Sequence, residues 1–555
     1  MSFTSDRRIK RLNALSFLLL CSSVISYADN PVVQTSYTAD PAPLVYNGEV
    51  YMYVGEDSAK SGSSYLMPDW RCYSSADMVN WTDHGVVYSP KSVSWSTARD
   101  ANASQVAYRN SKFYYYISTT ASDGIAVGVA VSNSPIGPFK DTLGKPLVSG
   151  SKMTGCNATH SWRGLDPTIF VDDDEQAYLY WGNNVCYWTK INDDMISYSV
   201  SINCIAQNDP GFGPDYEEGP WFYKRNNLYY LIYPSKIPES MHYSTSTGPA
   251  GPWKYGGEIQ PVQQGQGSSS TIHPGMIDFG GKSYYFYHNG ALQGGGSYKR
   301  SVCIEEFSYN TDGSIPKIPP TTGGVVKGVK NLNPFDTIQA ETICWESGIK
   351  TAVCTEGGMM VDSISNGDYI KVEGVDFKDG AKLFEARAAS GGSGGSIELR
   401  LDSQTGTLVG TCEITGTGGW QTWNTKSCSV TDTKGVHDLF LNFKGGTGRL
   451  FTFNWWKFSS PVHTRTGILT TDLFENSITI SQNKMLTFKP VIVSEQRQHF
   501  CIGLYNLSGR RVTSLFIGDP GQNEYSMDLS GIRSGTYLVK LEQNQTAMTK
   551  AINIH

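Results

Sequence analysis

Charge is scarce in this chain. Asp, Glu, Lys and Arg make up 17% of its residues, 45 basic against 51 acidic, and the formal net charge of −6 is spread without any basic block. A protein that tracks phosphate backbones gathers Lys and Arg on one face, so the sequence gives nucleic acid no electrostatic footprint. Helical periodicity is missing too: apolar residues do not recur at i, i+3, i+4, i+7, which argues against long amphipathic helices. No Cys-X-X-Cys pair occurs, so neither a zinc ribbon nor a redox dithiol is supported. Past residue 25 no apolar stretch approaches the length that spans a bilayer.

The one long apolar run, residues 12–25, follows Arg7, Arg8, Lys10 and Arg11 and precedes Ser26-Tyr27-Ala28. That layout predicts a secretory signal at 1–28 and an exported protein, secreted or held at the cell surface. Leu20 precedes Cys21 where a lipidation signal needs a small residue, which argues against a lipoprotein. Of the eleven cysteines, ten remain after removal of the signal, an even number in an oxidising compartment. Spacing does not determine pairing; Cys412 with Cys428 is the bridge expected first.

What the chain has in abundance is Gly (58), Tyr (32) and Trp (13), the balance of strand-rich folds with tight turns. Flat aromatic faces suit neutral sugars, although aromatics more often fill cores. Five segments repeat one frame: a polar leader, a short apolar strand, a Gly/Asn/Asp turn and a Tyr-rich strand. The leaders are Asp40, Asn102, Asp166, Glu218 and His273. An aromatic stands eleven positions after four of them, at Tyr51, Phe113, Tyr229 and Tyr284, and Tyr178 is one step late behind an Asp-rich turn. Leaders spaced 52 to 64 residues apart fit units of about four strands, and five such units predict an all-β, five-bladed propeller.

Equivalent positions of a propeller repeat share one radius and height, so the leaders converge on one mouth of the channel. A lone Asp-Pro is more often a turn residue than a catalyst. Three carboxylates and an imidazole in one register of an apolar repeat point further, because gathered like charges destabilise a fold that does not use them. Glycosidic cleavage needs a carboxylic acid for the leaving oxygen and a carboxylate for water. Glu218, before Gly-Pro and apolar Trp221-Phe222, reads as the acid; Asp40 reads as the base and Asp166 as the third carboxylate.

The motifs around these residues, TADPAP (38–43), LDPTIF (165–170), EEGPWFYK (217–224), DMVNWTDHG (77–85), SPIGPFKD (134–141), and YHNG followed by YKRSVC (298–303), resemble glycoside hydrolase family 43. The resemblance implies inversion at the anomeric carbon, with Asp40 as base, Asp166 as pKa modulator and Glu218 as acid. It also implies substrate contact at Arg300, and Asn102, Trp221 and His273 are further candidates for the sugar. Where the family commonly has a stacking Trp in the second repeat this chain has Asn102, and Trp95 is the nearest substitute. His273 has two readings, a channel filler or a neighbour of a structural calcium; no cofactor is needed for the chemistry.

A Pro/Gly-rich stretch, 315–334, reads as a linker to a second strand-rich unit at 335–458. FDTIQAE (335–341), SNGDYIKVEGVDF (365–377), GTGGWQTWNT (416–425) and FNWWKF (453–458) resemble carbohydrate-binding module family 6, a β-sandwich. The resemblance implies that Tyr369 and Trp420 stack on a sugar, that Asn454 hydrogen-bonds it, and that Glu341 is a structural calcium ligand; Trp456 reads as core. In the last segment, 468–555, LYNLSGRRV (504–512) and LSGIRSGTYLVKL (529–541) resemble the C-terminal sorting domain of type IX secretion, a small β-sandwich addressed to bacterial secretion machinery.

Together these readings predict, over residues 29–325, an exo-acting α-L-arabinofuranosidase on the plant cell-wall polysaccharide arabinoxylan. β-Xylosidase on xylan is the alternative within the family, and endo-arabinanase the third. A non-catalytic glycan-binding protein is the alternative of another class, opposed by the carboxylate set. Retaining fructoside hydrolases are disfavoured because their nucleophile motif is not found.

Overall fold

A computed structural model describes residues 30–460, except 61–63, 99 and 159–161, and the segments 478–481, 485–488, 500–507, 510–517, 525–543 and 546–554. The expected signal at 1–28 lies outside the described residues. Strands dominate, and the helical elements among the described residues are three short 3-10 turns.

Five antiparallel sheets follow one another through residue 307. Their first strands are Thr38–Tyr46, Gln105–Arg109, Thr168–Val171, Trp221–Arg225 and Gly275–Phe279. Each pairs with the Tyr-rich strand that follows it, so the repeat frame is a hairpin. The turn residues explain why. Asn47-Gly48 (φ 54°, 80°), Asn110-Ser111 (50°, 60°) and Gly280-Gly281 (57°, 78°) put both central residues in the left-handed region, the type I′ geometry that matches strand twist. The third hairpin instead closes across Asp172–Gln176, five residues where the other four turns have two, and Tyr178 follows one step late behind it.

Aromatics fill the spaces between neighbouring sheets. Tyr46 meets Phe113 at 4.9 Å between the first and second sheets, and Phe170 meets Phe222 at 5.4 Å between the third and fourth. Each such ring removed from water contributes roughly 1.5–3 kcal/mol, and buried hydrogen bonds between sheets add to it, as where Ile169 N–H donates to Gln105 Oε1 at 2.7 Å. The first strands surround a cavity of about 470 Å³ lined by Pro43 to Val45, Gln105 to Tyr108, Ile169 to Val171, Tyr223 to Arg225 and Met276 to Asp278. The N-terminal segment is tied to the fifth sheet: Val32 N–H donates to Val302 O at 2.8 Å, and Ile304 N–H to Asn30 Oδ1 at 2.9 Å.

The stretch expected as a linker is packed. Ile315 and Ile318 are buried with the core of the first, second, fourth and fifth sheets, and Val325 is buried near Trp81. Beyond it two antiparallel sheets enclose a second core containing Phe384, Ile397, Leu441, Trp456 and Phe458. Strand Thr342–Ile343 pairs with Trp81–Tyr88 and extends the first sheet. Asn80 and the Glu373 backbone exchange hydrogen bonds of 2.8 and 2.9 Å, so both parts form one compact unit ending at Ser460.

The C-terminal unit has one sheet of Ile478–Ile480, Met485–Phe488 and Tyr525–Asp528. A second sheet contains Arg511–Ile517, Phe500–Tyr505, Gly535–Gln543 and Thr546–Ile554. Among the described residues no helix is long and apolar enough to cross a membrane.

The disulfide that forms is Cys156–Cys204, closing a separation of 48 residues. The expected partners Cys412 and Cys428 are free thiols that approach one another from Thr407–Thr415 and Asn424–Thr433, the edge strands of the two different sheets. Spacing could not rank these pairs, because pairing depends on which strands the fold brings together.

Candidate active site

Two of the leaders stand on strained backbone. Asp40 (φ 55°) and Asp166 (φ 59°) both occupy the left-handed region, which Asp tolerates better than most side chains. Pairing in the first hairpin slips between Ala39 and Ala42, a bulge that turns Asp40 out of the ladder. In the fourth repeat the strained residue is Gly219 (φ 52°), next to Glu218; a Cβ there would lie 2.9 Å from His273 Nδ1. Glycine therefore lets the fourth and fifth leaders close on each other.

Asp40 is buried beside a fixed cation. Arg300 Nη1 donates to its Oδ1 at 3.1 Å, while Nε and Nη2 fork onto Asp57 at 2.8 and 3.0 Å. The guanidinium lies 4.8 Å from the ring centre of half-exposed Tyr65, which packs on Tyr298. Behind Asp40, His288 Nδ1 accepts the Asp40 backbone N–H at 3.2 Å and its Nε2 donates to Thr271 O at 2.9 Å. That pattern fixes a neutral imidazole, in accord with a pKa held well below the usual histidine range by burial and by Arg300. Burial raises the Asp40 pKa, and the Arg300 charge opposes the rise.

Glu218 and Asp166 lie on either side of the Gly219 backbone N–H. Asn183 Nδ2 donates to Glu218 Oε2 at 2.7 Å, and the Gly219 N–H donates to Asp166 Oδ2 at 3.2 Å. Burial pushes the Glu218 pKa up to about 7; Asn183 works against this, and the charges of Glu217 and Asp40 add to it. Asp166 rises well above the carboxylate range through burial, then through Glu218 and Asp40. Two buried acids that repel each other retain a proton near neutrality, while Arg300 favours the ionised form of Asp40.

The remaining candidates differ in placement. His273 is buried against Gly219, with its pKa lowered to about 3 by burial and by the Arg300 charge. The same charge repels a cation, and among the described residues no three His, Cys, Asp or Glu side chains gather to hold a metal. His273 thus stands as one buried imidazole between Gly219 and the Arg300 charge. Asn102 O accepts the Trp70 indole N–H at 2.8 Å, and its buried Nδ2 has no partner among the described residues. Trp221 is 4% exposed and donates its indole N–H to Met276 O at 3.1 Å, so its ring is committed to the core. Trp95 packs on strand Gly124–Ser132 at Gly128. Asp57, Asn183 and Glu239, which support the carboxylates, carry no motif and are not among the repeat leaders, while His288 stands in the YHNG motif without having been singled out as a site residue.

In the second part, Trp420 carries the Arg449 guanidinium 4.2 Å from its ring centre and packs on Gly391. Asn454 is buried and donates to Glu356 Oε2 at 3.0 Å; Glu356 in turn pairs with Arg387. Tyr369 belongs to the other sheet, with its ring 6.0 Å from Phe440. The buried Oε2 of Glu341 accepts no hydrogen bond from a described donor.

Comparison with known proteins agrees with this anatomy. Three family models match, "Glycosyl hydrolases family 43" over residues 28–315, "Carbohydrate binding module (family 6)" over 339–460, and "Secretion system C-terminal sorting domain" over 476–555. The arabinoxylan arabinofuranohydrolase of Bacillus subtilis (strain 168) is 35% identical over 488 residues, covering 78% of this chain and 92% of that protein. That of Paenibacillus polymyxa is 32% identical over 484 residues, covering 78% and 74%. The crystal structure of a family 43 arabinoxylan arabinofuranohydrolase from Bacillus subtilis in complex with cellotetraose superposes with a TM-score of 0.68 at 33% identity, covering 78% of this chain and 98% of that one. The chain belongs to glycosyl hydrolases family 43 and carries a family 6 carbohydrate-binding module and a C-terminal sorting domain.

Proposed function

We propose that the protein is an exported, inverting, exo-acting α-L-arabinofuranosidase that removes arabinose branches from arabinoxylan. One observation carries the reading: the leaders of separate sheets lie together, Asp40 on Arg300, Asp166 on the N–H of Gly219 next to Glu218, and Gly219 against His273. The extent of similarity to two arabinoxylan arabinofuranohydrolases supports the substrate, and the sorting domain supports export. In this reading the five sheets are the blades of a propeller, with the catalytic mouth at the leader end of the channel, and the two sheets of the second part form the sandwich of a xylan-binding module.

The chemistry follows from the charges. Glu218, protonated near neutrality, passes its proton to the leaving glycosidic oxygen as the bond to the anomeric carbon breaks. Asp40 takes a proton from the water that attacks the opposite face. Arg300 holds Oδ1 of this base and leaves Oδ2 for the water. Asp166 raises the pKa of Glu218 and orients the sugar. Inversion asks for acid and base carboxyls roughly 6.5–9.5 Å apart. A structural calcium at Glu341 belongs to the proposal; no step of hydrolysis passes through it.

Initial rates on nitrophenyl α-L-arabinofuranoside and nitrophenyl β-D-xylopyranoside test the substrate, and a clear preference for the xyloside overturns it. Proton NMR of the first product tests inversion: an initially retained anomer removes that part of the reading.

A further inference from the structure

One buried carboxyl plays no part in the scheme above. Glu239 precedes strand Ser240–Ser246 and is 1% exposed. Its Oε2 accepts the Ile272 backbone N–H at 2.5 Å, and its own N–H goes to Ser270 O at 3.0 Å, so backbone and side chain are both fixed. Oε1 is buried, and among the described residues no N–H reaches it. The geometry places this carboxyl beside the acid: it holds the N–H of Ile272, the next residue, His273, packs on Gly219, and Gly219 follows Glu218; the electrostatics of Glu218 include the Glu239 carboxyl. Two carboxyl groups in contact repel unless one carries a proton directed at the other, and a buried oxygen without a donor is best satisfied by becoming the donor.

We propose that Glu239 is a positioning residue for the general acid: a neutral carboxylic acid whose hydroxyl donates a hydrogen bond to Glu218, fixing that carboxyl and stabilising the carboxylate left when its proton departs. The inference rests on Glu218 being the acid. During cleavage the Glu218 proton moves to the leaving oxygen, which keeps the electron pair of the broken bond; Glu239 retains its own proton and its hydrogen bond shortens. The surroundings favour the neutral form. Burial raises the Glu239 pKa well above the carboxylate range, and Glu218, Glu217 and Asp166 push the same way. Asp40 also acts on Glu218, whereas Arg300 and neutral His273 face this cluster from the fifth sheet side.

Glu239→Gln and Glu239→Met in the full-length protein test this through the pH profile of kcat/KM on an aryl arabinofuranoside. Gln keeps an N–H donor for Glu218 and an acceptor for Ile272, so its alkaline limb stays within about 0.3 pH units of the parent. Met removes the donor; its limb rises by about one unit and kcat falls roughly 10- to 100-fold, the worth of a hydrogen bond to a charged group, with KM nearly unchanged. A limb that falls in Glu239→Gln shows that Glu239 is ionised in the parent and overturns the proposal. An unmoved limb in Glu239→Met overturns it as well. Should the Met variant fail to fold, the infrared carbonyl band of a protonated buried carboxyl, present in the parent and lost in Glu239→Gln, decides the matter; its absence from the parent refutes the proposal. Leaving-group dependence in Glu218→Gln tests the acid assignment separately, so failure of one reading is distinguishable from failure of the other.

Discussion

Arg300 Nη1 stands 3.1 Å from Asp40 Oδ1, and the arginine cannot swing further because Asp57 holds its other nitrogens in a bidentate grip. Asp57 thereby sets how much of the arginine's charge reaches the base. Asp57→Ala leaves a buried guanidinium with half its compensation, and removing one partner of a buried pair destabilises by about 3–5 kcal/mol. Freed of the fork, Arg300 closes on both Asp40 oxygens and competes with the attacking water, so kcat falls at least about tenfold. Urea unfolding and aryl arabinofuranoside kinetics check both effects; unchanged stability contradicts the buried-pair reading.

The acid assignment is tested through the leaving group. Glu218→Gln cannot donate a proton, so hydrolysis of arabinoxylan oligosaccharides slows by about 10²–10⁴. A dinitrophenyl arabinofuranoside, whose leaving group needs little protonation, loses much less. Retention on insoluble xylan is unaltered, because the module is untouched. Equal loss on all leaving groups removes Glu218 from the role.

The raised Glu218 pKa has consequences for activity and for stability. The acid must be protonated, so kcat/KM declines as pH rises through about 7. A carboxyl whose folded pKa lies above its unfolded value of 4.5 contributes stability that is complete below pH 4.5 and is lost as pH rises through about 7. The whole shift amounts to about 3 kcal/mol. Glu218→Gln carries no ionisable group there, so its melting temperature falls less than the parent's between pH 5 and pH 8. Parallel melting curves across that range contradict the shift.

Much of this site is visible in the sequence because a repeat converts sequence register into spatial register. Asp40, Asp166, Glu218 and His273 stand at one position of the hairpin frame, and the Asn-Ser and Gly-Gly turns that enforce the frame are legible as residues. Arg300 was reached through its motif. Asp57, Asn183 and Glu239 are not legible: they come from strand ends and turns whose meeting depends on how sheets pack, and nothing local marks them; His288 stands in the YHNG motif, but its hydrogen bond to the Asp40 backbone does not follow from the motif. Trp221 shows the converse failure, since its neighbour Glu218 suggested a sugar contact while the ring turns to Met276. For cysteine, Cys412 and Cys428 were read as neighbours but remain thiols, and the distant Cys156 and Cys204 bond.

That disulfide ties the segment before the third sheet to the strand Asn203–Ala206 at its outer edge. Crosslinking residues 48 apart reduces the freedom of the unfolded chain and contributes about 2–4 kcal/mol. Cys156→Ala with Cys204→Ala lowers stability by that amount. The carboxylates belong to other segments, so kcat below the new unfolding transition changes by less than about twofold. Denaturant titration with and without reductant measures the contribution, and a parent protein indifferent to reductant contradicts it.

The module separates from catalysis by the same logic. Trp420 lies under the Arg449 guanidinium and beside Gly391, and Asn454 is held by Glu356; none of these residues contacts the carboxylate cluster. If Trp420 supplies the stacking face, Trp420→Ala removes an aromatic contact worth roughly 1–2 kcal/mol and the cation's support together. Retention on insoluble xylan then drops about tenfold, while turnover of a soluble aryl arabinofuranoside is unchanged. Tyr369→Ala makes the contrast sharper: its ring packs on Phe440 of its own sheet. Retention that survives Tyr369→Ala but not Trp420→Ala locates the sugar at the Trp420 end of the module; the reverse pattern transfers it to the Tyr369 sheet.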